Sequence, residues 1–314
     1  MDAGFVPIAQ RGLWRDALER LVRNRLAVFG LVVSLLLGFI AIFGPMLTPY
    51  DPFWQDLANV EQPPSAQHFF GTDQLGRDVL SRLLWGTRTA VLVATIVTGV
   101  STIVGLILGA LAAYLGGVVD NLIMRIADVL MGFPHLLLAV FISATVRQPT
   151  AAAMTWAYER TGWGFLTNRA LVDYLVVFGA LALVEWYVVA RLVRGQILSL
   201  REKEFILAEQ VLGIPTRQIV LHHLVPNSLG PVVVAITVGF GNAMLRESSL
   251  SYLGVGIQPP GASWGAMISE SLPMWRYRPH LVVMPGLVLA VAVLAFNVLG
   301  DGLNDALNPR RRQR

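Results

Sequence analysis

Glu185 and the adjacent pair Arg246-Glu247 lie in or at the ends of long apolar runs, where an unpaired charge is costly. Such groups can relay protons in a carrier, or they can pair with an opposite charge on a neighbouring helix. No matching set occurs in the other half of the chain and no inverted repeat is visible, so pairing across helices is the reading adopted. Other reactive groups are scarce. There is no cysteine, which removes disulfides, thiolate catalysis and thiolate metal sites together. Of the five histidines, His222 and His223 are adjacent and lack the four-residue helical spacing of a chelating pair. No Gly-X-X-X-X-Gly-Lys-Ser/Thr stretch is present, so the chain cannot itself hydrolyse ATP.

The remaining polar feature is a segment stranded between apolar runs, Glu204-Phe205-Ile206-Leu207-Ala208-Glu209-Gln210-Val211-Leu212-Gly213, with Val225-Pro226-Asn227 beyond it. Phe205, Ile206, Ala208, Val211 and Leu212 among the charges predict a short amphipathic helix able to seat in a cleft on another protein. Gly213 permits a turn that a residue with a Cβ resists, and Pro215 opposes continuation of the same helix.

These residues must be positioned by elements suited to lipid. Of 314 residues, 55% are apolar and 14% charged, against about a quarter charged in a soluble domain; the mean hydropathy is +0.60. The net charge of +4 comes almost wholly from arginine, Lys203 being the only lysine. The basic residues cap apolar runs and form no single stripe, so nucleic acid is not an expected partner and membrane lipid is. The first apolar run is of spanning length with no small-residue cleavage site after it, and it is expected to be a retained anchor.

A helix crosses the hydrocarbon core with roughly 20 apolar residues. Six spans are expected: Leu26–Leu47; a second between Arg88 and Asp120; a third from about Ile123 to Val146; a fourth from about Leu171 to Val193, interrupted by Glu185; a fifth from about Ser228 to Leu245; and a sixth over Pro279–Gly300. Six spans put both ends on one side. With the N-terminus in the cytoplasm, the inner side holds Arg11, Arg15, Arg20, Arg23, Arg25, Arg125, the arginines and lysine around the polar segment, and Arg310, Arg311, Arg312 and Arg314. That is nearly twice the outer complement, as the positive-inside rule requires.

Residues 1–25 then form a cytoplasmic tail whose Leu13, Trp14, Ala17, Leu18, Leu21 and Val22 share a helix face, suited to lying in the interface. Residues 26–47 are the first span, 48–88 an extracytoplasmic loop, 89–305 a core of five spans containing a loop at 194–227, and 306–314 a basic cytoplasmic tail. Small residues around the second span (Gly99, Gly105, Gly109, Ala110, Ala112 and Ala113) suit close packing, expected here against a partner chain. The outer stretch Arg147–Asp173, with Trp156, Tyr158 and Trp163, reads as a tolerated insertion whose aromatics fit a membrane interface.

Two outer segments carry more pattern than hydropathy does. Phe70 to Arg82 contains Gly71, Thr72, Asp73, Gly76, Arg77 and Asp78, with Asp73–Arg77 and Asp78–Arg82 at spacings that pair on a helix. Leu250 to Gly265 contains Gln258, Pro259 and Pro260, and the prolines forbid helix continuation.

Together with the polar segment, with Met124-Arg125-Ile126-Ala127-Asp128 and Phe133-Pro134, and with Phe296 to Asp305, these segments resemble the dipeptide/oligopeptide/nickel branch of the ABC importers. The match is to the C-type member of its permease pair and covers nearly the whole chain from Arg20 onward. It implies an all-α polytopic membrane protein, six transmembrane helices with a cytoplasmic coupling helix, of the ABC type I importer permease kind. It implies no enzyme activity and no cofactor in this chain, with ATP and Mg bound by partners. Those partners would be a second homologous permease, two cytoplasmic ATPase subunits and an extracytoplasmic substrate-binding protein, in the plasma or inner membrane of a bacterium or archaeon.

By the same resemblance Glu204, Phe205, Leu207, Ala208, Glu209, Leu212, Gly213, Pro226 and Asn227 would couple to the ATPase, where the family carries its EAA loop. Gly71, Thr72, Asp73, Gly76, Arg77, Asp78, Gln258, Pro259 and Pro260 would be the family's outer-loop motifs. The sequence departs from the EAA consensus at Leu207 and at Glu209, the latter standing where a small residue should face a socket. An ATP-independent secondary transporter or channel is the alternative; it predicts charged or broken helices at mid-membrane, a requirement met by Glu185.

Overall fold

The computed structural model describes residues 13–307. Arg11 and the arginines at 310, 311, 312 and 314, counted above for sidedness, lie outside the described residues. Within them all regular structure is helical apart from one isolated antiparallel bridge, Thr72 to Asp78.

Helix α1 (Leu13–Arg23) precedes α2 (Arg25–Leu47). The break between them is set by Asn24, whose Oδ1 accepts hydrogen bonds from the backbone N–H of Leu26 (3.1 Å) and Ala27 (3.3 Å), an N-cap. Leu21 of α1 is buried beside Ala27, Leu299 and Ala306, while Leu18 and Val22 stay exposed. Helix α3 (Val79–Leu115) is longer than the uncharged run suggested. Asp78 caps it, Oδ2 accepting from Ser81 N–H at 2.7 Å, so the loop expected to reach residue 88 gives way to helix at Val79.

The expected third span, Ile123–Val146, is corrected. Pro134 forces Phe133 into an extended conformation (φ −96°, ψ 142°), which ends α4 (Gly117–Gly132) before α5 (His135–Thr161) begins. The helix long and apolar enough to cross is α5. The outer stretch 147–173 is correspondingly the end of α5, a 3₁₀ turn over Gly164–Thr167 and the start of α6 (Arg169–Arg201).

After α6 come α7 (Glu204–Val211), α8 (Thr216–Ile219), a π turn over Val220–Leu224 and α9 (Val225–Tyr252). Pro226 lacks an N–H and stands where π spacing gives way to α spacing. Helices α10 (Trp264–Ser271) and α11 (His280–Leu307) complete the described residues. By length and composition six helices can cross a membrane: α2, α3, α5, α6, the run Thr216–Tyr252, and α11. Large apolar side chains project outward from them, Leu26, Leu35 and Ile42 of α2 each more than 60% exposed, which only a lipid or protein neighbour makes tolerable.

The central element is α6, buried along Val177, Leu181, Val189, Ala190, Val193 and Ile197. It lies against α3 through Gly105 and Gly109: a Cβ on Gly105 would fall on Val189 Cβ and Trp186 O, and one on Gly109 on the carbonyl oxygen of Ala190. Gly105 and Gly109, expected to meet a partner chain, are therefore consumed within this chain, whereas Gly99 faces open space. Helix α4 packs against α3 and α6 around Ala112, Ala127 and Ala190, and there Arg194 makes a bidentate pair with Asp120 (2.5 and 2.6 Å) and Arg191 pairs with Asp128. Glu185 pairs across helices with Arg246 of α9, as the reading of the intramembrane charges anticipated. Glu247 takes no cation; it is buried and accepts from the hydroxyls of Ser251 (2.7 Å) and Ser248 (3.4 Å).

Candidate functional site

At the end of α6 the chain turns through Glu202 and Lys203 into α7, and one residue fastens the two helices. Ile206 is fully buried among Val193, Ile197, Ile219, Val220 and Leu224. Its neighbours face outward: Phe205 and Leu207 are about half exposed, Val211 and Leu212 88% and 78%, with Glu204 and Ala208 also exposed. The helix expected to be amphipathic is instead apolar on both sides: it holds itself to its own protein by Ile206 and presents an apolar shelf formed by the others. Gly213 ends the element at φ +76°, the left-handed region that glycine enters without penalty, with its N–H donating to Gln210 O at 3.0 Å. Arg201 reaches across to the carbonyl of Ala113 at the end of α3 (3.2 Å).

Glu209, the departure from the small residue of the consensus, points inward. Its carboxylate lies 3.3 Å from His223 Nε2 on the π turn, with its side chain 17% exposed. Asn227 donates from Nδ2 to the carbonyl of His223 at 2.6 Å, and Pro226 is exposed beside it. The nine residues expected in this region are thus brought together around α7 and the start of α9, with Glu209, His223 and Asn227 as the clasp. His222 backs onto Gln218 O (3.2 Å), and His223 meets Glu209.

The two outer segments meet in a second site. Asp73 accepts from Arg77 Nε (2.7 Å) and from Arg82 Nη1 (2.5 Å), and Glu270 of α10 accepts from Arg77 Nη2 (2.8 Å) and Arg82 Nη1 (3.0 Å). Asp73, Arg77 and Arg82 are almost wholly buried, and the four charges cancel. The expected Asp78–Arg82 pair does not form, because Asp78 is occupied as the cap of α3 and by His68 Nδ1 at 2.9 Å. Glu270 is the member that local spacing could not reveal, being 188 residues from Arg82.

Thr72, fully buried, donates to Asn59 O (2.5 Å) and accepts from Gln62 N–H (2.8 Å). Gly71 and Gly76 have φ of +77° and +72° and press on the backbones of Gln62 and Asp56. At Asp56 itself the Asn59 side-chain amide and the Ala58 N–H hold the carboxyl below its usual range. Pro259 and Pro260 line one wall of an open cleft of about 510 Å³, with Arg77, Glu270, Gln74 and Phe53 on the others.

Gln258 is tied elsewhere. Its N–H donates to Asp173 Oδ2 (3.1 Å), and Arg147 binds Asp173 as well as the carbonyls of Val255 (3.1 Å) and Gly256 (2.8 Å). The stretch read as an insertion thus begins and ends on two residues that clamp the outer loop onto α5 and α6. The polarity of Arg147 and Asp173 at the limits of an apolar run was the available signal.

This geometry finds its counterpart in known proteins. Residues 105–313 match the model for the binding-protein-dependent transport system inner membrane component, and residues 12–64 match the N-terminal TM domain of oligopeptide transport permease C. The chain is 35% identical to the oligopeptide transport system permease protein OppC of Bacillus subtilis over 312 residues, 99% of this chain and 94% of the relative. It is 38% identical to the dipeptide transport system permease protein DppC of Alkalihalophilus pseudofirmus (95% of this chain, 90% of the relative). To the glutathione transport system permease protein GsiD of Pectobacterium atrosepticum it is 35% identical (95% and 91%). The chain belongs to the family of binding-protein-dependent transport system inner membrane components. It is the multi-pass, membrane-embedded permease of an ABC importer, and that membership implies a second permease and ATPases as partners.

Proposed function

We propose that this chain is half of the translocation pathway of a peptide importer, with its N-terminus, α7 and C-terminus in the cytoplasm. Two ATPase subunits bind and hydrolyse ATP with Mg and grip the shelf of Phe205, Leu207, Ala208, Val211 and Leu212. An extracytoplasmic binding protein delivers the peptide over the outer site around Arg77, Glu270 and Pro259-Pro260. The substrate class is taken from the oligopeptide and dipeptide permeases among the relatives. The observation that carries the coupling role is the division of labour on α7: Ile206 is buried and its apolar neighbours are left uncovered. Uncovered apolar groups of that size on a helix between two spans call for a protein partner.

The test is Ala208→Asp, a charge set on the shelf. Neither ion pairs nor buried residues are disturbed, so all six spans should still insert. Docking should weaken by about 1–3 kcal/mol, the usual scale of coupling between sites. In reconstituted complexes, hydrolysis stimulated by loaded binding protein and peptide uptake into vesicles should fall together while the permease pair stays intact. Wild-type levels of both would refute the coupling role of α7.

A further inference from the structure

Asn242, Arg246 and Ser249 succeed one another at helical spacings along α9, so they share one face. That face is half-buried or exposed, whereas Glu247, Ser248, Leu250 and Ser251 beside it are buried. A polar stripe headed by an arginine is costly against lipid, and it marks a face covered by protein or open to a water-filled route.

The depth of Arg246 follows from its partner. Its Nη1 pairs with Glu185 of α6. Glu185 is twelve residues along α6 from Asp173, which the clamp with Arg147 and Gln258 fixes at the outer loop. At 1.5 Å per residue the pair sits roughly 18 Å below that loop, near the middle of a hydrocarbon core about 30 Å thick. There the Arg246 side chain is 29% exposed and Glu185 only 10%. Among the described residues Nε and Nη2 of Arg246 meet no acceptor, so two sides of a guanidinium fork are held out, steered by a buried carboxylate. Tyr187 and His135, bonded to each other, lie within the field of the same guanidinium.

A guanidinium with free donors recognises planar anions, and carboxylates by two parallel hydrogen bonds. We propose that Arg246 is a specificity-determining residue that binds the C-terminal carboxylate of the peptide as it passes mid-membrane. The proposal rests on the peptide reading above. Glu185 has two roles in it: it orients the fork, and by offsetting the attraction it keeps the bound carboxylate free to move on, as conduction demands.

The experiment measures uptake of trialanine and of its C-terminal amide into vesicles holding the complete importer. Three forms are compared: wild type, Arg246→Gln, and the exchange variant Arg246→Glu with Glu185→Arg. Complex integrity and melting temperature are followed in each. The expected result is that Arg246→Gln lowers trialanine uptake by about tenfold or more, the scale of a hydrogen bond to a charged group. Uptake of the amide should fall far less, so that the acid-over-amide ratio collapses. The exchange variant should recover the melting temperature without recovering trialanine uptake, because its cation now projects from α6.

An equal fall for acid and amide, or recovery of trialanine uptake by the exchange, would make the pair purely structural and overturn the proposal. Loss of the second permease from the Arg246→Gln complex would overturn it in favour of a subunit contact. If the wild type moves only the acid, recovery or non-recovery in the exchange variant decides. If the wild type moves neither peptide, the peptide reading itself falls and this inference falls with it.

Discussion

Single residues fix where backbones touch, and Gly109 shows how far that was readable. Its type announced a close approach, yet small size does not say whose backbone arrives, and the approach is to α6 of the same chain. A Cβ there would lie on the carbonyl oxygen of Ala190 and 3.0 Å from Ala190 Cα and Val193 Cβ, with only backbone or a stiff β-branched side chain to yield. Gly109→Val should therefore prise α3 from α6 and destabilise the purified permease pair by about 1–3 kcal/mol, the scale of overpacking. The measurement is thermal unfolding in detergent; an unchanged midpoint would mean that the two helices are not in contact at that level. Glu209 carries the opposite lesson. Its misfit to the family pattern was visible, but its partner His223 was not, because the π turn that brings the imidazole round leaves no mark in periodicity.

Among elements, the apolar runs told which helices exist, and the exact bounds depended on polar residues that hydropathy ignores. Asp78 begins α3 ten residues before the uncharged stretch, and Pro134 divides what hydropathy merged into one span. The outer loops were legible as motifs but not as one object, since Glu270 joins them across the sequence. That joint is testable. Asp73 accepts from both Arg77 and Arg82, and Arg82 already leaves Nε and Nη2 without partners. Asp73→Asn would leave two buried guanidinium groups facing the single carboxylate of Glu270. Breaking a buried ionic network from one side costs about 3–5 kcal/mol, so a large drop in the melting temperature of the complex is expected. Asp51→Asn, on an exposed turn of the same loop, should scarcely move it. Equal stability of the two variants would show that the cluster does not hold the outer loops together.

On the scale of the molecule, α6 connects the two sites. Thirty-three residues at 1.5 Å each make a rod about 50 Å long. Asp173 holds the outer loop at one end, and Ile197 lies under Ile206 at the other. A displacement of α7 has a rigid element to follow, which is what a motor in another subunit needs, provided that α7 faces the motor. Sidedness is therefore the premise on which the coupling proposal stands, and it rests on the distribution of Arg and Lys about the spans. The absence of cysteine makes a direct test simple, since any introduced thiol is unique in this chain. Pro63→Cys and Thr161→Cys, in the outer loop and at the end of α5, should react with a membrane-impermeant maleimide in intact cells. Lys203→Cys, next to α7, should react only after the membrane is opened. Both Pro63 and Lys203 are exposed in this chain, and labelling of Lys203→Cys once the membrane is opened shows that the membrane, not a docked partner, protected it. Labelling of Lys203→Cys in intact cells, with protection at Pro63→Cys, would invert the chain and set the apolar shelf of α7 on the wrong side for any cytoplasmic ATPase.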